Sequence, residues 1–226
     1  MEKYYSIAID GPSGAGKSTV AKAVAERFSF LHLDTGAIYR TIAYALIKND
    51  ISCDDVHSIE KLLETIEISI EHNESGEQQM FLNGENVSDK IRTSEISMCA
   101  SKSSALPVVR EHLIKLQRDF ADSRNVILDG RDIGTVVLPD ADVKIFLDAS
   151  SKIRAMRRYK ELKLRYPDTD YEKVYRDLLK RDEQDMSREH APLKAAADSI
   201  TIDTSYLNLK ESIEKVCFLI GERLGI

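Results

Sequence analysis

Short apolar segments alternate with helical periodicity along most of the chain. Residues 4–10 are β-branched and aromatic, and residues 17–28 follow with Val20, Val24 and Phe28 on one helical face. The same patterns predict further strands at residues 30–34, 126–129, 143–148 and 199–203, and helices at residues 36–48, from residue 107, and at residues 152–165, 171–188 and 209–224. Residues 152–165 are highly charged with a thin apolar stripe, so this helix is expected to pack weakly. Five strands alternating with helices predict an α/β fold, a five-stranded parallel sheet flanked by helices.

The chain between the second and third of these strands is too long for a simple crossover. It spans about 90 residues, whereas a βαβ unit needs about 30. Ile66, Ile68 and Ile70 alternate with polar residues, and residues 80–82 precede Asn83-Gly84, a strong hairpin signal. We therefore expect one domain over residues 1–226 with an inserted small antiparallel sheet, the insertion covering approximately residues 35–105.

Composition narrows the class of partner. The net charge of −6 argues against a broad nucleic-acid surface, and no apolar run approaches the roughly 20 residues that span a bilayer. The N-terminus, MEKYYSIAID, leaves no room for a signal peptide before the first strand, so a cytoplasmic location is expected. Cys53, Cys99 and Cys217 are odd in number and far apart, with no CxxC pair. The sequence thus predicts reduced thiols, with neither a disulfide nor a zinc site.

The strongest chemical motif is a phosphate-binding loop at residues 11–18, GPSGAGKS, between the first strand and the first helix. Its glycines let successive backbone N–H groups approach phosphate oxygens, and the helix that starts near Lys17 directs its positive end at them. Lys17 is predicted to reach the β- and γ-phosphates, and the Ser18 hydroxyl to bind Mg²⁺. A merely tight turn is the alternative, but the strand–loop–helix context favours a nucleoside triphosphate site.

A second motif follows the strand at residues 126–129. Asp129 ends an apolar strand downstream of the loop, as the Mg²⁺-holding acid of a phosphotransferase does. Many strands end in Asp, so this pattern alone is weak. Arg131 and Asp132 come next, at the end of the strand where doubly wound sheets bind ligands.

Arginines recur at helical spacing late in the chain. Arg181, Asp185 and Arg188 fall at i, i+4 and i+7, on one helix face. A second cluster, Arg154, Arg157 and Arg158, lies in the weakly packed segment. Each cluster could be a solvated surface, but phosphoryl transfer needs positive charge around the transferring group. A short arginine-rich lid at approximately residues 152–168 would supply it.

Other enzyme classes fit less well. An N-K-x-D guanine motif and a G-x-S-x-G nucleophile motif are both missing, and the five histidines show no metal-ligand spacing, so each is expected to be structural or exposed. A small P-loop protein with this insertion favours a small-molecule kinase.

The chain resembles bacterial cytidylate kinases essentially from end to end, and six sequence blocks carry the resemblance. They are IDGPSGAGKST (9–19), LDTGAIYR (33–40), LNGENV (82–87), LDGRDIGTVVLPDAD (128–142), the RDxxDxxR block (181–188) and HAPLKAAADSITIDTS (190–205). The resemblance implies a nucleoside monophosphate kinase fold with a CMP-binding insertion and a lid. It implies transfer of the γ-phosphoryl group of MgATP to CMP or dCMP, with ATP, CMP and dCMP as small-molecule partners, and a monomer.

The resemblance also implies roles for individual residues. The ATP site would comprise Gly11, Pro12, Ser13, Gly14, Ala15, Gly16, Lys17, Ser18 and Thr19, with either Ser18 or Thr19 as the closest metal contact and Asp129 also holding Mg²⁺. The CMP site would comprise Thr35, Arg40, Ser101, Arg110, Arg131, Asp132, Arg181, Asp185 and Arg188. The catalytic groups would be Lys17, Arg131, Arg154, Arg157, Arg158 and Arg188.

Hydrogen-bonding chemistry agrees with a cytosine acceptor. Asp132 can accept from the cytosine amino group, and Arg110 can donate to the ring acceptors, whereas uracil would present a carbonyl to Asp132. Kinases of UMP, AMP or shikimate-like alcohols remain rivals, as does a regulatory module that binds nucleotide with little turnover.

Overall fold

The computed structural model describes residues 4–226, apart from the Arg165 side chain. The first three residues, part of the stretch considered for a signal peptide, lie outside it. Five strands form a parallel sheet: β1 (Ser6–Asp10), β2 (Leu31–Asp34), β6 (Val126–Gly130), β7 (Val143–Asp148) and β8 (Ile200–Asp203). Their order is β2-β6-β1-β7-β8, so the loop after β1 emerges from the middle of the sheet. The predicted five-stranded parallel sheet is confirmed.

Eight α-helices surround the sheets in the described part of the chain. They are α1 (Lys17–Phe28), α2 (Thr35–Lys48), α3 (Val56–Leu63), α4 (Ser94–Ser103), α5 (Pro107–Ala121), α6 (Ser151–Arg165), α7 (Tyr171–Met186) and α8 (Leu209–Leu224). Adjacent residues of β1 face opposite layers, as a strand requires. Ile7 and Ile9 are fully buried in the core formed with α1 and α8, whereas Ala8 is buried in the core formed with α2, α4 and α5. The sheet is therefore covered on both faces.

The inserted stretch carries its own sheet, of β3 (Ile68–His72), β4 (Gln78–Leu82) and β5 (Glu85–Asn86). All pairs are antiparallel. Asn83 and Gly84 make the turn between β4 and β5 with φ values of 51° and 78°, the left-handed pair that a two-residue hairpin requires. This antiparallel sheet, predicted from the alternating isoleucines and the Asn-Gly signal, is confirmed.

The charged helix α6 differs from its prediction. It was expected to pack weakly, but Ala155 is fully buried and Arg154 is 7% exposed, and α6 packs along α7. The reason is ionic: Arg154 pairs with Asp182 of α7 at 2.5 Å. An apolar count misses such packing, because it scores a buried ion pair as two exposed residues.

The prediction of three reduced thiols is wrong for two of them. Cys53, in the loop after α2, and Cys99, in α4, form a disulfide with Cα atoms 5.5 Å apart, and the buried Cys217 is free. The two cysteines are 46 residues apart in sequence. They meet because α4 packs on α2, a tertiary contact that spacing alone does not encode. Within residues 4–226, no helix is both long enough and apolar enough to cross a bilayer.

Candidate active site

A cavity of about 1120 Å³ opens along the carboxyl ends of β1, β2 and β6. Nearly all the site residues predicted from the sequence line it, which brings together segments far apart in the chain. Three do not line it: Gly11 and Pro12, the first two residues of the loop, and Arg154. The cavity extends from the P-loop at one end to Arg110 and Asp132 at the other. Charged side chains therefore line both ends of the cleft: Lys17 in the P-loop at one end, and Arg110 with Asp132 at the other.

The P-loop owes its shape to glycines at three positions with positive φ. Gly11 has a φ of 148°, and a Cβ there would lie 1.9 Å from the Leu147 carbonyl oxygen, so no side chain fits. Lys17 is buried and its Nζ donates to the Pro12 carbonyl at 2.9 Å. Burial, reinforced by the positive charge of Arg131, lowers the pKa of Lys17 to about 7. An anion in the loop would restore its charge.

Ser18, at the start of α1, meets Asp129 at the end of β6. The Ser18 hydroxyl donates to Asp129 Oδ2 at 2.7 Å, and Thr35 donates to the Asp129 carbonyl at 2.8 Å. His32 Nε2 lies 2.7 Å from Asp129 Oδ1. Burial lowers the pKa of His32, but the hydrogen bond and charge of Asp129 outweigh it and raise the pKa above its ordinary value. His32 was expected to be structural or exposed, and no motif linked it to Asp129.

The donor set at this junction fits Mg²⁺. Mg²⁺ prefers hard oxygen ligands and keeps several waters, so one carboxylate and one hydroxyl suffice beside substrate phosphates. Ser18 Oγ and Asp129 Oδ2 supply these two oxygens next to the P-loop. No group of three or more His, Cys, Asp or Glu side chains suited to a metal occurs among residues 4–226, so an all-protein cage is not part of the described structure.

The far end of the cleft is built around Arg110 and Asp132. They form a buried ion pair, and Arg110 also donates to the Ser104 carbonyl at 3.1 Å. The guanidinium lies 5.7 Å from the centre of the Tyr39 ring, a cation–π contact. Burial raises the pKa of Asp132 although Arg110 opposes this. Tyr39 and Ser104 were not predicted as site residues; Tyr39 lies one residue before Arg40 in a quoted block.

Asp185 is the hub of the arginines in the middle of the cleft. It is 1% exposed and accepts from Arg131 Nε at 2.8 Å and from Arg188. Ser101 Oγ donates to it at 3.4 Å. Burial raises the pKa of Asp185, but Arg131, Arg188 and Arg181 more than compensate and lower it. The structure thus brings together four predicted residues around one charged carboxylate: Ser101 from α4, Asp185 from α7, and Arg131 and Arg188 from the residues that follow β6 and α7.

Two further arginines line the same region. Arg40 pairs with Asp34 at 2.8 Å, and the Asp34 carboxylate also caps α2 by accepting from the Ala37 N–H. Burial and the charge of Arg131 lower the pKa of Arg181 to about 10. The Nε groups of Arg40, Arg181 and Arg188 are buried with no protein acceptor. Buried donors without acceptors are costly, and an anionic ligand would supply the acceptors that they lack.

The predicted lid arginines separate into two groups. Arg157 lines the cleft and donates to the Thr204 carbonyl at 2.7 Å, and Arg158 lines it and pairs with Glu161 at 2.8 Å. Arg154 was grouped with them as a charge-balancing residue, but the structure places its guanidinium outside the cavity, on the Ser13 carbonyl and Asp182. Its first-turn position on α6 directs it at the back of the P-loop.

Asp10, at the end of β1, was not predicted as a site residue. Its carboxylate accepts from the N–H groups of Ile133 at 2.9 Å and Gly134 at 2.8 Å. It thereby fixes the π-helical turn that follows Asp132 relative to the P-loop. Burial, against these two hydrogen bonds, raises the pKa of Asp10 to about 6. An acid at a strand end was the available signal, the same one that indicated Asp129.

Comparison with known proteins decides the family. The sequence model described as cytidylate kinase matches residues 7–222. This chain belongs to the cytidylate kinase family. Two relatives named cytidylate kinase are similar along nearly their whole length. The protein of Carboxydothermus hydrogenoformans is 48% identical over 217 residues, which cover 96% of this chain and 97% of that relative. The protein of Caldicellulosiruptor bescii is 47% identical over 214 residues, which cover 95% of this chain and 94% of that relative.

Solved structures agree on the fold. A shikimate kinase from Bacteroides thetaiotaomicron aligns with a TM-score of 0.50 at 12% identity, covering 98% of this chain and 99% of that one. At this identity the likeness concerns fold alone. The cytidylate kinase assignment therefore rests on sequence similarity, and the P-loop kinase architecture on both.

Proposed function

We propose that this member of the cytidylate kinase family transfers the γ-phosphoryl group of ATP to CMP or dCMP, giving ADP and CDP or dCDP. The observation that carries the proposal is the shared cleft. One end holds a P-loop, which suits a triphosphate, and the other holds the buried Arg110–Asp132 pair, which suits the edge of cytosine.

The donor end would bind ATP through residues 11–19. Lys17 reaches the β- and γ-phosphates from beneath the loop, and the backbone N–H groups of the glycines surround them. Beyond the loop, Leu207 and Leu209 line the cavity, an apolar wall suited to the donor base.

The acceptor phosphate would lie among Arg40, Arg131 and Arg188, with the Thr35 hydroxyl beside it. Support comes from the unpaired Nε donors of Arg40 and Arg188, since a phosphate supplies the acceptors that the protein withholds. Arg131 would remain tied to Asp185, which fixes its direction.

The acceptor nucleoside would be read by a different set. Asp132 accepts from the cytosine amino group, Arg110 donates to the ring acceptors, and Ser101 contacts the base edge. Arg181 and Asp185 would contact the sugar. The buried Arg110–Asp132 ion pair holds both side chains in place, so little side-chain ordering is needed on binding.

Ser18 and Asp129 would hold Mg²⁺. The ion would supply positive charge that neutralises the donor phosphates. His32 keeps the Asp129 carboxylate oriented through its other oxygen.

Transfer would be direct and in line, with no covalent enzyme intermediate. The acceptor oxygen attacks the γ-phosphorus while Lys17, Arg131 and Arg188 balance the developing charge. Arg157 and Arg158 would add to this when the lid, residues 152–168, closes and excludes water. The inserted region, residues 35–105, would contribute Thr35, Arg40 and Ser101 to the acceptor site. Isolation of a phosphoenzyme would contradict this mechanism, whereas tight binding of an ATP–CMP bisubstrate analogue would support it.

We further propose that the protein acts as a cytoplasmic monomer in pyrimidine nucleotide metabolism, without nucleic-acid or membrane partners. Its net charge of −6 argues against a broad surface for binding nucleic acid.

A coupled assay with ATP and a panel of acceptors tests the function. CMP and dCMP are expected to give the highest kcat/KM, with UMP, AMP and shikimate at least tenfold lower. A higher kcat/KM with AMP or shikimate would overturn the proposal. A Lys17→Ala variant separates catalysis from nucleotide sensing: loss of turnover supports the kinase, and full cellular function with that variant would indicate a regulatory module.

A further inference from the structure

The first turn of α6 packs directly against the back of the P-loop. Gly14 has a φ of 76°, and a Cβ there would lie 2.9 Å from the Arg154 carbonyl oxygen and 3.1 Å from the Arg154 Cβ. The Arg154 guanidinium continues from this contact, and its Nη1 donates to the Ser13 carbonyl at 3.1 Å. The loop and the helix are therefore in contact through both backbone and side chain.

Besides the P-loop, two further elements hold the Arg154 guanidinium in this place. Nε donates to the Ala149 carbonyl at 2.7 Å, at the junction of β7 and α6, and Nη1 donates to Asp182 Oδ2 of α7 at 2.5 Å. Arg154 is 7% exposed and Asp182 is 8% exposed. A swing of Arg154 into the cleft would leave a buried carboxylate without its partner, which is strongly unfavourable.

The geometry of the peptide bond gives this contact a consequence for phosphate binding. In a trans peptide, the C=O and the following N–H point to opposite sides. Every described peptide is trans. With the Ser13 C=O directed at α6, the Gly14 N–H is directed away from α6. The next outward carbonyl, that of Ala15, is held in the same way by Arg157 and Thr204, each at 3.3 Å.

We propose that Arg154 and Asp182 form a positioning pair that holds the Ser13–Gly14 peptide with its N–H toward the donor phosphates. Arg154 acts from behind the loop and touches no substrate. Preorganised N–H groups need no reorientation when the anion arrives, which is the basis of their strength. Without the pair, the peptide before Gly14 loses this restraint, and ATP must order it. The inference rests on the proposed function only in that the loop binds the donor triphosphate.

The test removes both charges together, because removing one would leave the other buried. The variant Arg154→Met/Asp182→Leu keeps apolar volume at both positions and deletes the donor to Ser13. Paired removal of this kind is often tolerated in folding. Lys160→Met, an exposed position of the same helix, is the matched control for a cation-to-methionine change. Circular dichroism and thermal unfolding establish that each variant is folded.

Equilibrium titrations with ATP alone and CMP alone give the main readout. The double variant is expected to bind ATP at least tenfold more weakly, with CMP affinity within about twofold, as expected for a lost hydrogen bond to a charged group. Lys160→Met is expected to match the wild type for both. An unchanged ATP affinity in the folded double variant, or equal weakening of ATP and CMP, would overturn the proposal. A fall in kcat with unchanged ATP affinity would indicate that Arg154 stabilises the transferring phosphoryl group, and would overturn the proposal as well.

A spectroscopic readout reports on the peptide itself. The chain has ten glycines, so a ¹⁵N-glycine spectrum is simple. In the wild type and Lys160→Met the Gly14 amide signal is expected to shift downfield on ATP binding, and in the double variant the shift is expected to be lost at matched saturation. A retained shift would contradict the proposal. Because these are binding measurements, a wild type that bound ATP but failed to phosphorylate CMP would overturn the proposed function and leave this test intact.

Discussion

The Ser18 hydroxyl donates a hydrogen bond to the Asp129 carboxylate at 2.7 Å, although the two residues are 111 positions apart in sequence. Ser18 lies in the first turn of α1 and Asp129 is the penultimate residue of β6, and β6 pairs with β1 in parallel register. Adjacent parallel strands end at the same edge, so the hydroxyl that follows β1 reaches the acid of β6. The same bond makes these two oxygens the best-placed pair for Mg²⁺.

Substitution at this pair should change the metal dependence of the reaction. Asp129→Asn and Ser18→Ala are each expected to raise the Mg²⁺ concentration for half-maximal activity by roughly 10- to 100-fold, since a metal oxygen is weakened or lost. Steady-state rates over a Mg²⁺ series at saturating ATP measure this. Thr19→Ala is the comparison variant, because Thr19 is the adjacent hydroxyl and also lines the cleft. A larger effect at Thr19 than at Ser18 would show that the adjacent hydroxyl holds the metal.

Asp132 should control discrimination between pyrimidines. Asp132→Ala is expected to lower kcat/KM for CMP by roughly 10- to 100-fold, with the KM for ATP within about twofold, because a charge-assisted hydrogen bond is lost. Asp132→Asn keeps a partner for Arg110 and offers an amide donor, so it is expected to improve UMP relative to CMP. The coupled assay with CMP and UMP measures both. Equal losses for ATP and CMP would contradict this role.

ATP binding should take up protons at pH 8. Burial and the charge of Arg131 lower the pKa of Lys17 to about 7, so the amine is mostly neutral at pH 8, and contact with phosphate raises its pKa again. Uptake of up to roughly one proton follows. Calorimetric titrations in buffers of different ionisation enthalpy measure it. At pH 6 Lys17 is already protonated and its uptake disappears; identical heats in every buffer at pH 8 would rule out the shift.

The same shift affects stability. Between pH 7 and the ordinary lysine pKa near 10.5, the unfolded state binds more protons at Lys17 than the folded state. Its contribution to the free energy of unfolding therefore rises with pH across this window. A Lys17→Met variant is expected to lose this part of the pH dependence, as measured by denaturant unfolding at pH 7 and pH 9.

The disulfide should be detectable by thiol counting. Denatured, unreduced protein is expected to show one free thiol, Cys217, and reduced protein three. The bond closes a loop of 46 residues, for which chain entropy gives on the order of 4 kcal/mol of stabilisation. Cys53→Ser/Cys99→Ser is expected to unfold at lower denaturant, with Cys217→Ser as the control for thiol removal. Three free thiols without reductant would contradict the disulfide.

Local patterns were sufficient where local physics decides the structure. Helix α1 begins at Lys17 and ends at Phe28 as its apolar spacing predicts, and the Asn83-Gly84 turn follows from the left-handed conformations it requires. The P-loop was evident for the same reason, since its glycines and Lys17 are contiguous in sequence. The spacing of Arg181 and Asp185 on one helix face was also predictable, whereas Arg188, predicted on the same face, lies beyond the end of α7 at Met186.

Pairings between distant segments depended on packing. The contact of His32 with Asp129 depends on β2 pairing with β6, and the hydrogen bonds of Asp10 depend on the turn after Asp132. Neither strand order nor side-chain direction is written in any single segment.

The sequence by itself determined the parallel α/β architecture, the P-loop and, through its resemblance, the cytidylate kinase family. Tertiary structure decided that Cys53 joins Cys99 and that Arg154 stands behind the loop instead of inside the cleft. Both outcomes have one physical cause. Each side chain meets a partner that the fold places within reach on another element. Packing of α4 on α2 brings Cys99 to the half-buried Cys53, and the buried Arg154 is paired with the opposite charge of Asp182 on α7.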